Sequence, residues 1–138
     1  MRLLIDTSAW VDYLRGAPTP TTDAVRKHLL AKDTEVVTCE PVALELLAGA
    51  GDESRARKLE TLMNGLVSLS LDPWADFRDA ARIYRTARTS GETIRSLTDC
   101  LIASIALNHT VTVLHRDRDF DVIARFTGLS VATTEVRR

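Results

Sequence analysis

The sequence is sparing with the residues that build metal, redox or nucleotide sites: 138 positions hold two cysteines, three histidines, four prolines and 5% aromatics. Cys39 and Cys100 stand far apart in apolar company with no CxxC spacing, which excludes a disulfide framework or a thiolate zinc site and points to a reducing compartment. His28, His109 and His115 share no metal-ligand spacing. There is no GxGxxG and no phosphate-binding P-loop. Asp6 is not followed by a second acid two residues on, and lysine occurs only at 27, 32 and 58, which removes the phosphoaspartyl-transferase and receiver patterns. The apolar run Leu3-Leu4-Ile5 stops at Asp6, too short for a signal-peptide core. No stretch reaches membrane-spanning length, so a soluble, cytoplasmic protein without membrane contact is expected. Charge of one sign is also missing: 18 Lys and Arg face 19 Asp and Glu, a formal balance of -1. A dedicated nucleic-acid binder draws its affinity from a basic excess, and none is visible in the total.

What is present is a core. With 45% hydrophobic residues, a chain of this size buries about two-thirds of its unfolded surface and folds as one domain without staples. Leu3 to Ile5 read as a buried strand, and Ser8 as the cap of a helix carrying Trp10, Val11 and Leu14. Thr22 is expected to cap a helix through Lys32. Val36 to Thr38 form a strand, and Pro41 opens a helix that Gly49 or Gly51 ends. A charged helix covers 53 to 64. Val67, Leu69 and Leu71 alternate with serines, the period of a strand near a sheet edge. An amphipathic helix over roughly 74 to 89 closes at Gly91, and Ser96 or Thr98 caps the next one. Val111 to Leu114 make a strand, a helix follows with Val122, Ile123 and Phe126, and a last strand lies around Val131. Strands alternating with helices predict an α/β fold, a parallel-rich central sheet flanked by helices on both faces. In such folds the working crevice lies beyond the carboxyl ends of the strands.

That rule selects the acids. Asp6 follows the first strand and Asp117 follows the strand at Val111 to Leu114, so both leave the same sheet edge. Glu45 interrupts the apolar helical stretch Val42 to Ala48, and Asp99 sits in the first turn of an apolar helix, where the dipole favours a negative charge. Glu40, beside Pro41, reads as a helix-start residue, and each of the four acids has a structural alternative: Asp6 and Asp117 as helix caps, Asp99 in a capping box with Ser96, Glu45 as a polar helix face. Together they could converge on one crevice. Four clustered carboxylates repel and protonate unless a cation compensates them. Oxygen donors without His or Cys favour Mg²⁺ or Mn²⁺ over zinc. Such a centre suits metal-assisted phosphodiester hydrolysis, because the ion both activates water and lets an anionic substrate approach an acidic pocket.

Four segments, Leu4 to Trp10, Leu44 to Gly49, Thr98 to Ala103 and His115 to Phe120, appear in an order and at separations that resemble the PIN-domain ribonucleases, and more narrowly the VapC toxins of toxin–antitoxin pairs. The resemblance implies a single PIN domain over 1–138, an endoribonuclease requiring Mg²⁺ or Mn²⁺, a homodimer, and inhibition by a VapB-like antitoxin. It implies an acidic quartet of Asp6, Glu45, Asp99 and Asp117, with Asp6, Asp99 and Asp117 holding metal and Glu45 ligating or orienting the nucleophile. Asp119 is a further candidate acid and Ser8 a supporting hydrogen-bonding residue. Structured cellular RNA is the implied substrate, with tRNA one leading candidate, and cleavage would inhibit translation and growth. The alternative is a PIN-like module that binds RNA or protein without cutting.

The basic residues are ordered too. Arg78, Arg82 and Arg85 fall on one face of the helix from Trp74, and Arg88 and Arg95 extend the series; a solvated face and an RNA-backbone track both fit. Arg95 and Arg116, nearest the acids in sequence, are the candidate substrate contacts, while His115 reads as a hydrogen-bonded strand-end residue. Setting the four acids aside around a metal turns the formal balance from -1 to +3.

Overall fold

In the computed structural model, which describes residues 1–132 and 134, twelve elements alternate much as the periodicity predicts. They are β1 (Arg2–Ile5), α1 (Thr7–Leu14), α2 (Pro20–Leu30), β2 (Glu35–Cys39), α3 (Glu40–Ala48), α4 (Glu53–Asn64), β3 (Val67–Leu69), α5 (Pro73–Thr89), α6 (Leu97–His109), β4 (Thr112–Leu114), α7 (Arg118–Phe126) and β5 (Val131–Ala132). The outer end of the expected 1–138 domain lies outside the described residues.

The five strands form one sheet in the order β3-β2-β1-β4-β5, and every neighbouring pair is parallel. Leu4 of β1 stands opposite Val37 of β2 on one side and Val113 of β4 on the other. Leu3, Leu4 and Ile5 are all fully buried, as a central parallel strand covered on both faces requires. The helices gather into two groups: α1 with α2 and α3, and α3 with α4; then α5, α6 and α7 with one another. For this strand order the right-handed crossover rule of parallel strands assigns those groups to opposite faces, with α3 also meeting α6. The chain winds outward from β1 through β2 to β3, then returns to the far side of β1 for β4 and β5. The direction of winding therefore reverses between β1 and β4, which opens a crevice beyond their carboxyl ends.

Helix α6 is buried almost all round, from Asp99 and Cys100 through Ile102 to Ala106, the pattern of a helix inside a core. Helix α5 packs against it with Ala80, Ile83 and Ala87. Asp76, 1% exposed, joins the two helices by accepting from Ser104 Oγ and Asn108 Nδ2, each at 2.7 Å, and from the Asp72 backbone N–H at 2.8 Å.

Several boundaries differ from expectation for identifiable reasons. Helix α1 is capped by Asp6, not Ser8, because the Asp6 carboxylate accepts the Ser8 N–H. Thr19 rather than Thr22 caps α2, since Pro20 supplies a ready-made first turn, and the helix ends at Leu30 rather than Lys32. Strand β3 holds the sheet edge as the alternation suggested, but ends at Leu69; Leu71 belongs to the approach to the Asp72 cap of α5. Ser96, one of two candidates, caps α6. Glu40 begins α3. Among the described residues no helix is long and apolar enough to cross a membrane.

Candidate active site

The crevice is built from the turns that follow β1 and β4. The Asp6 N–H donates to the Leu114 carbonyl at 2.9 Å, tying the ends of the two strands together. Asp6 then caps α1, its Oδ2 accepting from Ser8 N at 3.0 Å and Ser8 Oγ at 2.6 Å. On the other side Asp117 caps α7, its Oδ1 accepting from Asp119 N at 2.9 Å. The Asp117 N–H donates to His115 Nδ1 at 3.1 Å. Capping and chemistry are thus compatible: a cap occupies one carboxylate oxygen and leaves the other. In Asp6 that second oxygen, Oδ1, is buried and meets no donor among the described residues.

Two helices bring further acids. Glu45 projects from α3, with Oε1 accepting from Thr7 Oγ1 at 2.9 Å. Asp99 lies in the first turn of α6, 4% exposed, and its Oδ2 is buried without a donor among the described residues. Asp119, 1% exposed, spends Oδ2 on the N–H groups of Arg95 and Ser96, at 3.0 and 3.2 Å, while Oδ1 has no hydrogen-bond partner among the described residues. The ligand atoms of Asp6, Glu45 and Asp99 lie within 4.8 Å of one another, and so do those of Asp99, Asp117 and Asp119. The two groups share Asp99.

Crowding these charges has an electrostatic cost. Asp99 is pushed up to about 9, first by burial and then by the charges of Asp6, Asp117, Asp119 and Glu45. Burial raises Asp6 above the ordinary carboxylate range against the lowering effect of its bonds to Ser8, and the Asp117 charge adds to it. Glu45 is raised by burial first, opposed by the Thr7 hydroxyl and helped by the charges of Asp6 and Asp117. Buried carboxylate oxygens without donors, held beside like charges, are the surroundings a cation relieves. The donors are all oxygen, the preference of a hard ion. Nearby Cys39 and Cys100 are buried and pushed up to about 12, so neither offers a thiolate at neutral pH.

The remaining sequence candidates fall around this cluster. Ser8 bridges the two turns, donating to Asp6 and accepting the Arg116 N–H at 2.9 Å. Arg95 fixes Asp119 through its backbone, while its exposed guanidinium reaches only to 4.0 Å from Asp119 Oδ1. The Arg116 guanidinium lies 2.7 Å from Asp12 Oδ2. His115 is buried, tilted against Phe120, with Nε2 3.3 Å from Asp121 Oδ1. The α5 arginines stay at the surface; Arg82 pairs with Asp79, Arg78 lies over Trp74 and Arg88 over Tyr84. Two contributors escaped the sequence reading, Thr7 and Asp12. Asp12 carries a signal in retrospect, because it is four residues from Ser8 and so shares its face of α1.

The PIN domain family model matches residues 3–126. The chain is 50% identical over 131 residues to "VapC ribonuclease Mb1587" of Mycobacterium bovis, covering 95% of this chain and 98% of that protein. It shows the same identity and coverage with "Ribonuclease VapC11" of Mycobacterium tuberculosis. Among solved structures, VapBC-1 from nontypeable Haemophilus influenzae has the same fold, with a TM-score of 0.75 at 19% identity over 97% of this chain and 98% of that one.

Proposed function

The chain belongs to the PIN-domain family, and from that membership and the gathered carboxylates we propose that it is a metal-dependent endoribonuclease, the toxin of a toxin–antitoxin pair. The observation that carries the reading is the set of buried oxygens on Asp6, Asp99 and Asp119 that meet no donor among the described residues, on acids that fall with Glu45 and Asp117 into two groups sharing Asp99. Asp6, Asp99 and Asp117 would hold Mg²⁺ or Mn²⁺, with Asp119 Oδ1 as a further donor. Such an ion, when bound, neutralises charge on the scissile phosphate and acidifies water. Glu45 ligates beside them or orients the attacking water; with Thr7 on Oε1, Oε2 is the atom free to take its proton. Ser8 holds Asp6 in the rotamer that turns Oδ1 toward the crevice. Arg95, exposed beside the cluster, is suited to the RNA backbone.

The same reading takes 1–138 as one PIN domain, working in the cytoplasm as a homodimer and inhibiting translation and growth by cutting RNA, with tRNA the leading substrate. A VapB-like antitoxin would be its inhibitor. An apolar groove of about 550 Å³ between α1, α3 and α4, lined by Val11, Leu46, Leu59 and Leu62 and reaching Glu45, offers such a peptide a path to the acids. The alternative of a non-cutting binding module has no use for the full acidic set.

The test is cleavage of total cellular RNA by the purified, inhibitor-free protein with Mg²⁺ or Mn²⁺, with chelator, and with Asp6→Asn. Cleavage that depends on the ion and disappears in the variant is expected. Chelator-insensitive cleavage, or full activity of Asp6→Asn, overturns the mechanism.

A further inference from the structure

The geometry points to Arg116 and Asp12 as a positioning pair: an ion-paired strap that holds the β1 and β4 turns in register so that Asp6 and Asp117 each stay beside Asp99 in the acidic cluster, in place of the phosphate contact that the sequence position of Arg116 suggested. This inference rests on the reading of the acids as a metal centre.

Arg116 acts at both ends of the strap. Its guanidinium Nη1 lies 2.7 Å from Oδ2 of Asp12, a buried carboxylate on α1 that also accepts from Thr19 Oγ1 at 2.9 Å. Its backbone N–H donates to Ser8 Oγ at 2.9 Å. A backbone N–H can only donate, so Ser8 Oγ must accept there, and its single proton is left to point along the 2.6 Å contact to Asp6 Oδ2. Asp6 Oδ2 is thereby taken by two donors, the Ser8 hydroxyl and the Ser8 N–H, which fixes the carboxylate plane and leaves Oδ1 for the crevice. The residue immediately after Arg116 is Asp117. One residue therefore couples the rotamer of the acid after β1 to the placement of the acid after β4. The short Asp12 pair, buried at the carboxylate and half-exposed at the guanidinium, tethers that turn, and outer groups that orient metal-holding carboxylates are worth a substantial factor in metal affinity. A guanidinium already engaged by a buried carboxylate is poorly placed to serve as a mobile phosphate clamp.

The test measures two affinities separately in the full chain: Mn²⁺ by isothermal titration, and a labelled short random-sequence RNA in the presence of chelator, where nothing is cut. Asp12→Asn and Arg116→Ala are each expected to weaken Mn²⁺ binding by about tenfold and leave RNA binding unchanged. The double variant should lose no more than either single one, because both remove the same strap. Arg116→Lys, which keeps a cation for Asp12, should recover part of the loss. Unchanged Mn²⁺ affinity in Asp12→Asn, with RNA binding weakened only in Arg116→Ala, overturns the strap and restores the phosphate contact. A lowered melting temperature in the variants with unchanged Mn²⁺ affinity also overturns it. A wild-type protein that binds no Mn²⁺ overturns the metal reading beneath it, a result distinct from either of the others.

Discussion

The raised carboxyl of Asp99 should make the metal-free protein lose stability as the pH climbs. Asp99 is displaced from an ordinary 3.8 to about 9 in the folded chain. The folded state therefore binds this proton more tightly than the unfolded state; the stabilisation is fully present below about pH 3.8 and is lost as pH rises through about 9. Within that window one proton leaves on unfolding, so stability falls by about 1.4 kcal/mol for each pH unit. From about pH 6 to pH 8 the loss is roughly 3 kcal/mol, or roughly 10 °C in melting temperature for a domain of this size. Asp6 and Glu45, also raised, act in the same direction. A bound divalent ion requires the carboxylate and displaces the proton, so saturating Mg²⁺ should flatten or reverse the slope. The assay is thermal unfolding by circular dichroism across this range, in chelator and in Mg²⁺, for wild type and Asp99→Asn. The variant should show a shallower slope in chelator, melt above wild type at the alkaline end and ignore Mg²⁺. A wild-type melting temperature that is flat or rising in chelator, or an identical slope in Asp99→Asn, refutes the reasoning.

Removing Asp76 should destabilise the fold without touching metal affinity. Asp76→Ala strands Ser104 and Asn108 between α5 and α6, and a cost of about 2–4 kcal/mol is expected by urea unfolding; a loss within the scatter of surface substitutions would show that this junction carries little. Arg95→Ala should weaken RNA binding, with the slope of log affinity against log salt reduced by about 1, while Mn²⁺ titration stays unchanged because the backbone N–H that serves Asp119 remains. Equal losses of both affinities would make Arg95 part of the metal centre. Thr7→Val removes the hydroxyl that lowers the Glu45 carboxyl, so the acidic limb of the cleavage pH profile should move to higher pH; an unmoved limb would separate Glu45 from the titrating step.

The acids were legible because of where they stand in the pattern. An apolar strand that ends in Asp, as at Ile5-Asp6, announces a parallel-sheet edge, and Glu45 is conspicuous in an apolar helix. What each acid does was not legible. Asp119 gives one oxygen to Arg95 and Ser96, more than twenty residues earlier in the chain. Arg116 is taken by Asp12 across 104 residues. The buried junction at Asp76 has no local signature in the sequence, because its partners Ser104 and Asn108 lie on α6.

By itself the sequence determined the alternation of strands and helices, the lack of CxxC, GxGxxG and P-loop motifs, and the set of carboxylates that resemble a PIN domain. Each of these follows from residue type and short-range period. The tertiary structure decided the strand order that opens the crevice between β1 and β4, and which oxygen of Asp6, Asp99 and Asp119 is left without a donor. The physical reason is that a carboxylate's second oxygen is satisfied or orphaned by groups brought within about 3 Å from distant segments, a distance that no local pattern encodes.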